Sequence, residues 1–237
     1  MLNRKFARVL GAICLGSALA FPALATDFSV RIVNLTHGIA FTPFLVAAHT
    51  ESTSLFNVGQ AASSSLQALA EGGDFSGLVS ELNTAGATLV EDPAGGFLLP
   101  GRETNADLNT DGSANTRLSL VAMLLPTNDG FAGLNAIEIP TAPGVYVYDV
   151  DAYDAGTEAN NEIINGGGAP GVLGIPGAPA GGGGTNGTGI SGADTNQTVH
   201  IHRNVLGDTD PMGGASDLDS RIHRWLNPVV RVILTVN

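Results

Sequence analysis

The C-terminal run constrains the fold more tightly than any other segment. Val230, Val232, Leu234 and Val236 alternate with Arg231 and Thr235, and a repeat of two puts the apolar set on one face of a strand and the polar set on the other. A strand with one dry face must lay it against a second layer. The same period returns at Phe28, Val30 and Ile32, with Ser29 and Arg31 between them. Further strand-like runs cover Phe41–Ala48, Ala87–Val90, Thr116–Leu125, Ala136–Ile139, Val145–Tyr153 and Thr198–Val205, each punctuated by Gly, Pro, Asn or Asp. About eight short strands with turn signals between them predict an all-β fold, an antiparallel β-sandwich, rather than alternating β and α units. One region breaks the pattern. Between Gly59 and Leu82, Ala61, Ala62, Leu66, Leu69 and Ala70 recur at helical spacing and Gly72-Gly73 ends the run, so one or two short helices occupy this connection.

The N-terminus reads as something to be removed. Arg4, Lys5 and Arg8 precede an apolar stretch from Val9 to Leu19, and Ala23-Leu24-Ala25 supplies small residues at cleavage positions. Residues 1–25 are therefore expected to be an export signal, and the destination is the periplasm or the exterior. The signal takes with it the only Lys and the only Cys, Cys14, leaving seven Arg against all 22 acids. No disulfide is available to such a chain, and its strong negative charge disfavours nucleic acid, whose affinity comes from Lys and Arg. At 43% hydrophobic residues the chain can still bury a core. Calcium, abundant outside cells and bound through oxygen, is the staple this composition suits.

Residues 26–237 read as a single domain. From Asn165 to Asp194 the sequence is mostly Gly, Ala, Pro and Thr, including Gly181-Gly182-Gly183-Gly184. This stretch is expected to be a long flexible loop between strands, because it offers little to bury against its ordering entropy. No Lys-Ser/Thr follows the glycines, so they make no phosphate cradle.

Carboxylates gather between Asn128 and Glu158. Asp149, Asp151, Asp154 and Glu158 fall within ten residues where a strand runs into a turn, and Asp129 could reach the same end of a sandwich. Strand geometry puts Asp149 and Asp151 on one face, with Asp154 and Glu158 on the following loop. Like charges this close repel unless a cation removes the cost.

These residues also carry a resemblance. Met123-Leu-Leu-Pro126-Thr-Asn-Asp129-Gly-Phe131-Ala-Gly133-Leu134 and, some twenty residues on, Tyr153-Asp154-Ala155-Gly156-Thr157-Glu158 are similar to the spondin domain of F-spondin and of secreted bacterial proteins. Thr42-Pro43-Phe-Leu-Val-Ala-Ala-His49, Leu55-Phe56-Asn-Val-Gly59 and Leu69-Ala70-Glu71-Gly72-Gly73 resemble its earlier block in the same order. The resemblance implies a β-sandwich with one calcium at a loop end and carries the calcium carboxylates onto Asp129, Asp154 and Glu158. Glu158 departs from the animal pattern, which has Asp there. One extra methylene keeps the charge and moves the oxygens.

Two weaker metal candidates stand apart. Asp107, Asn109 and Asp111, followed by Gly112, copy the opening of a calcium loop, but Leu118 occupies the position of its closing Glu. His200 and His202 alternate on a strand and would share a face, a geometry that chelates zinc or copper if a third ligand joins them. With one Trp and no Gly-x-Ser-x-Gly elbow the chain has little catalytic equipment. The expected function is a secreted, calcium-binding, non-catalytic adhesion or recognition module for an extracellular protein or glycan. The alternatives are a metal-dependent hydrolase using His200 and His202, and a membrane-surface binder bridged by calcium, since an anionic bilayer would repel the bare chain.

Overall fold

The structure is a computed structural model that describes residues 27–190 and 197–237. The export-signal reading of residues 1–25 lies outside the described residues. In chain order the elements are β1 (Asp27–Asn34), β2 (Ala40–Phe41), β3 (Leu45–His49), α1 (Ser64–Gly72), α2 (Ser76–Thr84), β4 (Thr88–Glu91), β5 (Glu103–Asn109), β6 (Arg117–Leu125), β7 (Gly130–Glu138), β8 (Gly144–Val150), β9 (Ala152–Asp154), β10 (His200–Ile201) and β11 (Val230–Val236). They form the expected antiparallel β-sandwich. One sheet has the order β5-β1-β11-β8, and the other runs β10-β9-β7-β6-β3-β4 with β2 beside β6.

The alternating strands explain the first sheet. Val30 and Ile32 of β1 stand opposite Leu234 and Val232 of β11, and all four are fully buried against Leu118, Leu120, Ala122 and Leu124 of the other sheet. β3 and β6 read differently because both of their faces are covered. Val46, Leu120 and Leu124 point into the sandwich, while Leu45, Ala47 and Val121 meet Leu66, Leu69, Leu78 and Leu82 of the helices. A strand buried on both sides is apolar throughout, as in Leu120–Leu125. The helix pair thus makes a third layer, and each of its four leucines contributes roughly 1.5–3 kcal/mol by burial. The Ser63 hydroxyl caps α1 by accepting from Leu66 N–H at 3.1 Å. Gly73, at φ 73°, ends it in the left-handed conformation that favours glycine.

Three expectations change. β5 was not expected as a strand. Its buried positions are Thr104, Ala106 and Leu108, too small or polar to announce a dry face, and it pairs with β1 along its whole length. The run Val145–Tyr153 is two strands rather than one. Val150 pairs with Val230 in the first sheet, while Ala152 pairs with Ala132 in the second, so the chain changes sheets at Asp151. The glycine-rich segment, expected as a flexible excursion, is tied to the body over its described part. Ile175 is fully buried and its N–H donates to Ile163 O at 2.8 Å, while Gly184 N–H donates to Asp217 O at 2.7 Å and Gly189 N–H to Ala215 O at 2.9 Å. Buried acids supply further anchors. Asp217 accepts from Ile164 and Gly187 N–H, both at 2.8 Å. Beyond the glycine-rich segment, Glu162 ties down residues 206–216, accepting from Leu206 N–H at 2.6 Å, Gly207 N–H at 2.9 Å and the Ser216 hydroxyl at 2.6 Å. Polar partners here do what apolar burial does elsewhere.

Candidate metal centre

The second sheet delivers the key carboxylates to one end. Asp129 immediately precedes β7, Asp154 ends β9, and the ladder sets Gly130 opposite Asp154. The chain then turns through Gly156, at φ 68°, where a Cβ would stand 2.6 Å from Thr198 N. A side chain cannot fit there, so glycine lets this loop lie against the start of β10 and brings Glu158 back beside Asp129. Thr157 and Glu158 donate their N–H groups to Asp129 Oδ2 at 2.8 and 3.1 Å. Asp154 Oδ1 accepts from Gly156 N–H at 2.8 Å, and Asp154 Oδ2 from Asn160 Nδ2 at 2.8 Å. Glu158 Oε1 accepts from Asn128 Nδ2 at 3.2 Å and from Gly174 N–H.

All three carboxylates are buried, at 0%, 1% and 8% exposure for Asp129, Asp154 and Glu158. Burial pushes the Asp129 carboxyl up to about 8, and the charges of Asp154 and Glu158 add to this against the two backbone donors. Glu158 is pushed up to about 7, again first by burial, with the Gly174 and Asn128 donors opposing and the Glu71 charge adding. Two buried oxygens, Asp129 Oδ1 and Glu158 Oε2, have no hydrogen-bond partner. Ionised oxygens without donors are costly to bury. Among the described residues no three His, Cys, Asp or Glu side chains are placed together closely enough to hold a metal ion. The chemistry of the donors nevertheless suits a hard cation: the buried acids are anionic oxygen ligands, and two of their oxygens remain unused.

The other candidates lie elsewhere. Asp149 is exposed and paired with Arg231 at 2.8 Å across the β8–β11 ladder. With Asp151 it lines a groove that also includes Phe56, Gly133, Asn135 and Tyr153, so neither joins the Asp129 group. Asp107, Asn109 and Asp111 are exposed, Asn109 Oδ1 merely accepts from Asp111 N–H at 2.6 Å, and Leu118 is a core residue. That segment is the end of β5 followed by a polar turn.

The histidines divide. β10 sets His200 opposite Asp154, with His200 Nε2 3.8 Å from Asp154 Oδ2. His202 Nδ1 accepts from Asn204 N–H at 3.0 Å, and its ring packs edge-on to Trp225. None of the other three histidines supplies the third ligand a hydrolase site needs. His49 Nε2 holds the Ser119 hydroxyl at 2.7 Å, His223 bonds Asp219 N–H and Gly181 O, and His37 lines a separate groove with Arg224 and Leu226. Sequence reading missed the amides Asn128 and Asn160, which donate to Glu158 and Asp154, and Asn161, which accepts from Asn128 Nδ2 at 2.9 Å. Their only signal was position, directly before Asp129 and two and three residues after Glu158.

No helix among the described residues is long and apolar enough to cross a membrane. A comparison with curated proteins finds no match. The Spondin_N family model matches residues 27–162, more than half of the chain and all three buried carboxylates. The chain belongs to the Spondin_N family.

Proposed function

We propose that this chain is an exported, non-catalytic adhesion or recognition module that binds calcium at one end of its β-sandwich. Membership of a family of extracellular adhesion-type modules supports the general role. The observation that carries the calcium reading is the pair of buried, unpartnered oxygens, Asp129 Oδ1 and Glu158 Oε2, with the charges of Asp154 and Glu158 raising the proton affinity of Asp129. Asp129, Asp154 and Glu158 would hold the ion, while Asn128 and Asn160 orient the carboxylates from behind. The ion would supply the positive charge that makes it tolerable for these acids to be ionised together. Its binding energy would add to folding energy by linkage. Calcium would thereby fix the Asp154–Glu158 turn against the Asp129 loop and give the module a rigid tip for a protein or glycan partner.

Thermal melting in chelator and in added calcium tests this. The reading expects a transition that rises with calcium concentration in the wild type and stays fixed in Asp129→Asn. Equal melting temperatures across a wide calcium range contradict it.

A further inference from the structure

The order β10-β9-β7 places three donors in register across neighbouring strands. Asp154 stands between Gly130, which follows Asp129, and His200. His200 Nδ1 lies 2.8 Å from the Thr198 carbonyl. A carbonyl only accepts, so Nδ1 carries the proton, and in the neutral ring Nε2 presents a lone pair. That Nε2 is buried without a hydrogen-bond partner and lies 3.8 Å from Asp154 Oδ2.

Two acceptors face each other across this gap. Neutral imidazole leaves Nε2 without a partner, while Asp154 Oδ2 keeps only the Asn160 Nδ2 donor at 2.8 Å. A second proton on the ring would make an ion pair but no hydrogen bond, because 3.8 Å exceeds the reach of an N–H···O bond. A metal ion between them would give Nε2 the partner it lacks and neutralise the Asp154 carboxylate. Ligands about 2.1 Å from a common ion, at angles between tetrahedral and about 130°, stand roughly 3.4 to 3.8 Å apart. The rest of the ring is arranged as in metal-bound histidines, whose other N–H donates to a carbonyl or carboxylate and thereby fixes the tautomer. His202 is not equivalent: its Nδ1 is taken as an acceptor by Asn204 N–H. On the other flank of Asp154 the ladder sets Gly130, directly after Asp129, whose Oδ1 is unpartnered.

We propose that His200 is a ligand of the divalent ion at this end of the sheet, making a mixed nitrogen–oxygen site that takes a first-row transition ion in competition with calcium. This rests on the reading that the Asp129, Asp154 and Glu158 carboxylates hold a cation, and it adds the donor that decides which one. Imidazole suits zinc, cobalt or nickel, whereas calcium is served by oxygen.

The test titrates Co²⁺ and Ca²⁺ separately into the purified protein and into His200→Gln, following cobalt by its visible absorption and calcium by calorimetry. The wild type should bind both, and His200→Gln should weaken cobalt roughly tenfold or more while calcium affinity stays about the same. If the variant does not fold, ¹⁵N spectroscopy of the wild-type imidazoles decides. Zinc should shift His200 Nε2 and leave Nδ1 protonated. Cobalt binding that ignores His200→Gln, or a His200 Nε2 resonance that zinc does not move, overturns the proposal and leaves the carboxylate reading intact if calcium still binds. Uptake of neither ion overturns both. Cobalt uptake through His200 without calcium uptake keeps His200 as a ligand but overturns the competition with calcium and the calcium reading.

Discussion

Asp129→Asn should make the metal-free protein more stable at pH 7, although it removes a proposed ligand. In the folded chain the Asp129 carboxyl is pushed up to about 8 from its ordinary 3.8. An acid raised on folding favours the folded state most below its unfolded pKa. That advantage is lost progressively as pH climbs from about 4 to about 8, because the folded state must then keep a proton or bury a charge. At 1.36 kcal/mol per unit, the handicap at pH 7 is roughly 4 kcal/mol, shared with Asp154 and Glu158 because their charges contribute to the rise. Asparagine keeps an oxygen to accept from Thr157 and Glu158 N–H and cannot ionise. Removing even half of the handicap would raise the melting temperature by about 4–8 °C for a domain of this size. The assay is chemical and thermal unfolding in chelator from pH 4.5 to 8.5. The wild type should lose stability along that range and Asp129→Asn should show a flatter profile, with the two curves diverging toward high pH. Calcium at a hundredfold excess over its dissociation constant should return about 2.7 kcal/mol to the wild type and nothing to the variant. A variant no more stable than the wild type in chelator at pH 7 to 8 refutes the claim that this charge is a liability awaiting a cation.

Other outcomes follow from the same packing. Calcium affinity should rise between pH 6 and 8, because Glu158 and Asp129, pushed up to about 7 and about 8, must release protons on binding; calorimetry in buffers of differing ionisation heat counts those protons. Glu162→Ala should cost about 3–5 kcal/mol in unfolding experiments, since it strands Leu206 N–H, Gly207 N–H and the Ser216 hydroxyl. Leu118→Ala should cost about 2–5 kcal/mol as a core cavity, while Asp111→Ala leaves both stability and calcium uptake unchanged. Ser119→Ala should cost about 1–3 kcal/mol, because the Ser119 hydroxyl accepts from Ala136 N–H at 2.8 Å where that residue sits at φ 52°, a bulge in the β6–β7 pairing.

What the sequence disclosed depended on whether a strand shows one face or two. β1 and β11 were legible because their alternation is complete, and α1 because Leu66, Leu69 and Ala70 repeat at helical spacing before Gly73. β5 was not, since Thr104 and Ala106 bury little and its place is fixed by pairing with β1, information that lies some seventy residues away. The break at Asp151 was hidden for a similar reason: alternation continues through Val150 and Ala152 while the sheet changes beneath them. The glycine-rich segment looked unable to bury anything because its anchors, Asp217 for Gly187 and Glu71 for Gly171, are elsewhere in the chain. At the site, the order Asp129, Asp154, Glu158 was carried by the family resemblance. Counting acids by proximity alone would have favoured Asp149 and Asp151, which face another groove. Strand register, invisible in the text, separated His200 from His202 and set the former against Asp154.

Calorimetric titration of calcium into the purified protein tests the central claim most directly. The account predicts uptake of one equivalent at pH 7.5, with proton release, abolished by Asp129→Asn and retained in Asp149→Asn. No heat of binding, or uptake that persists without Asp129 and disappears without Asp149, would contradict it.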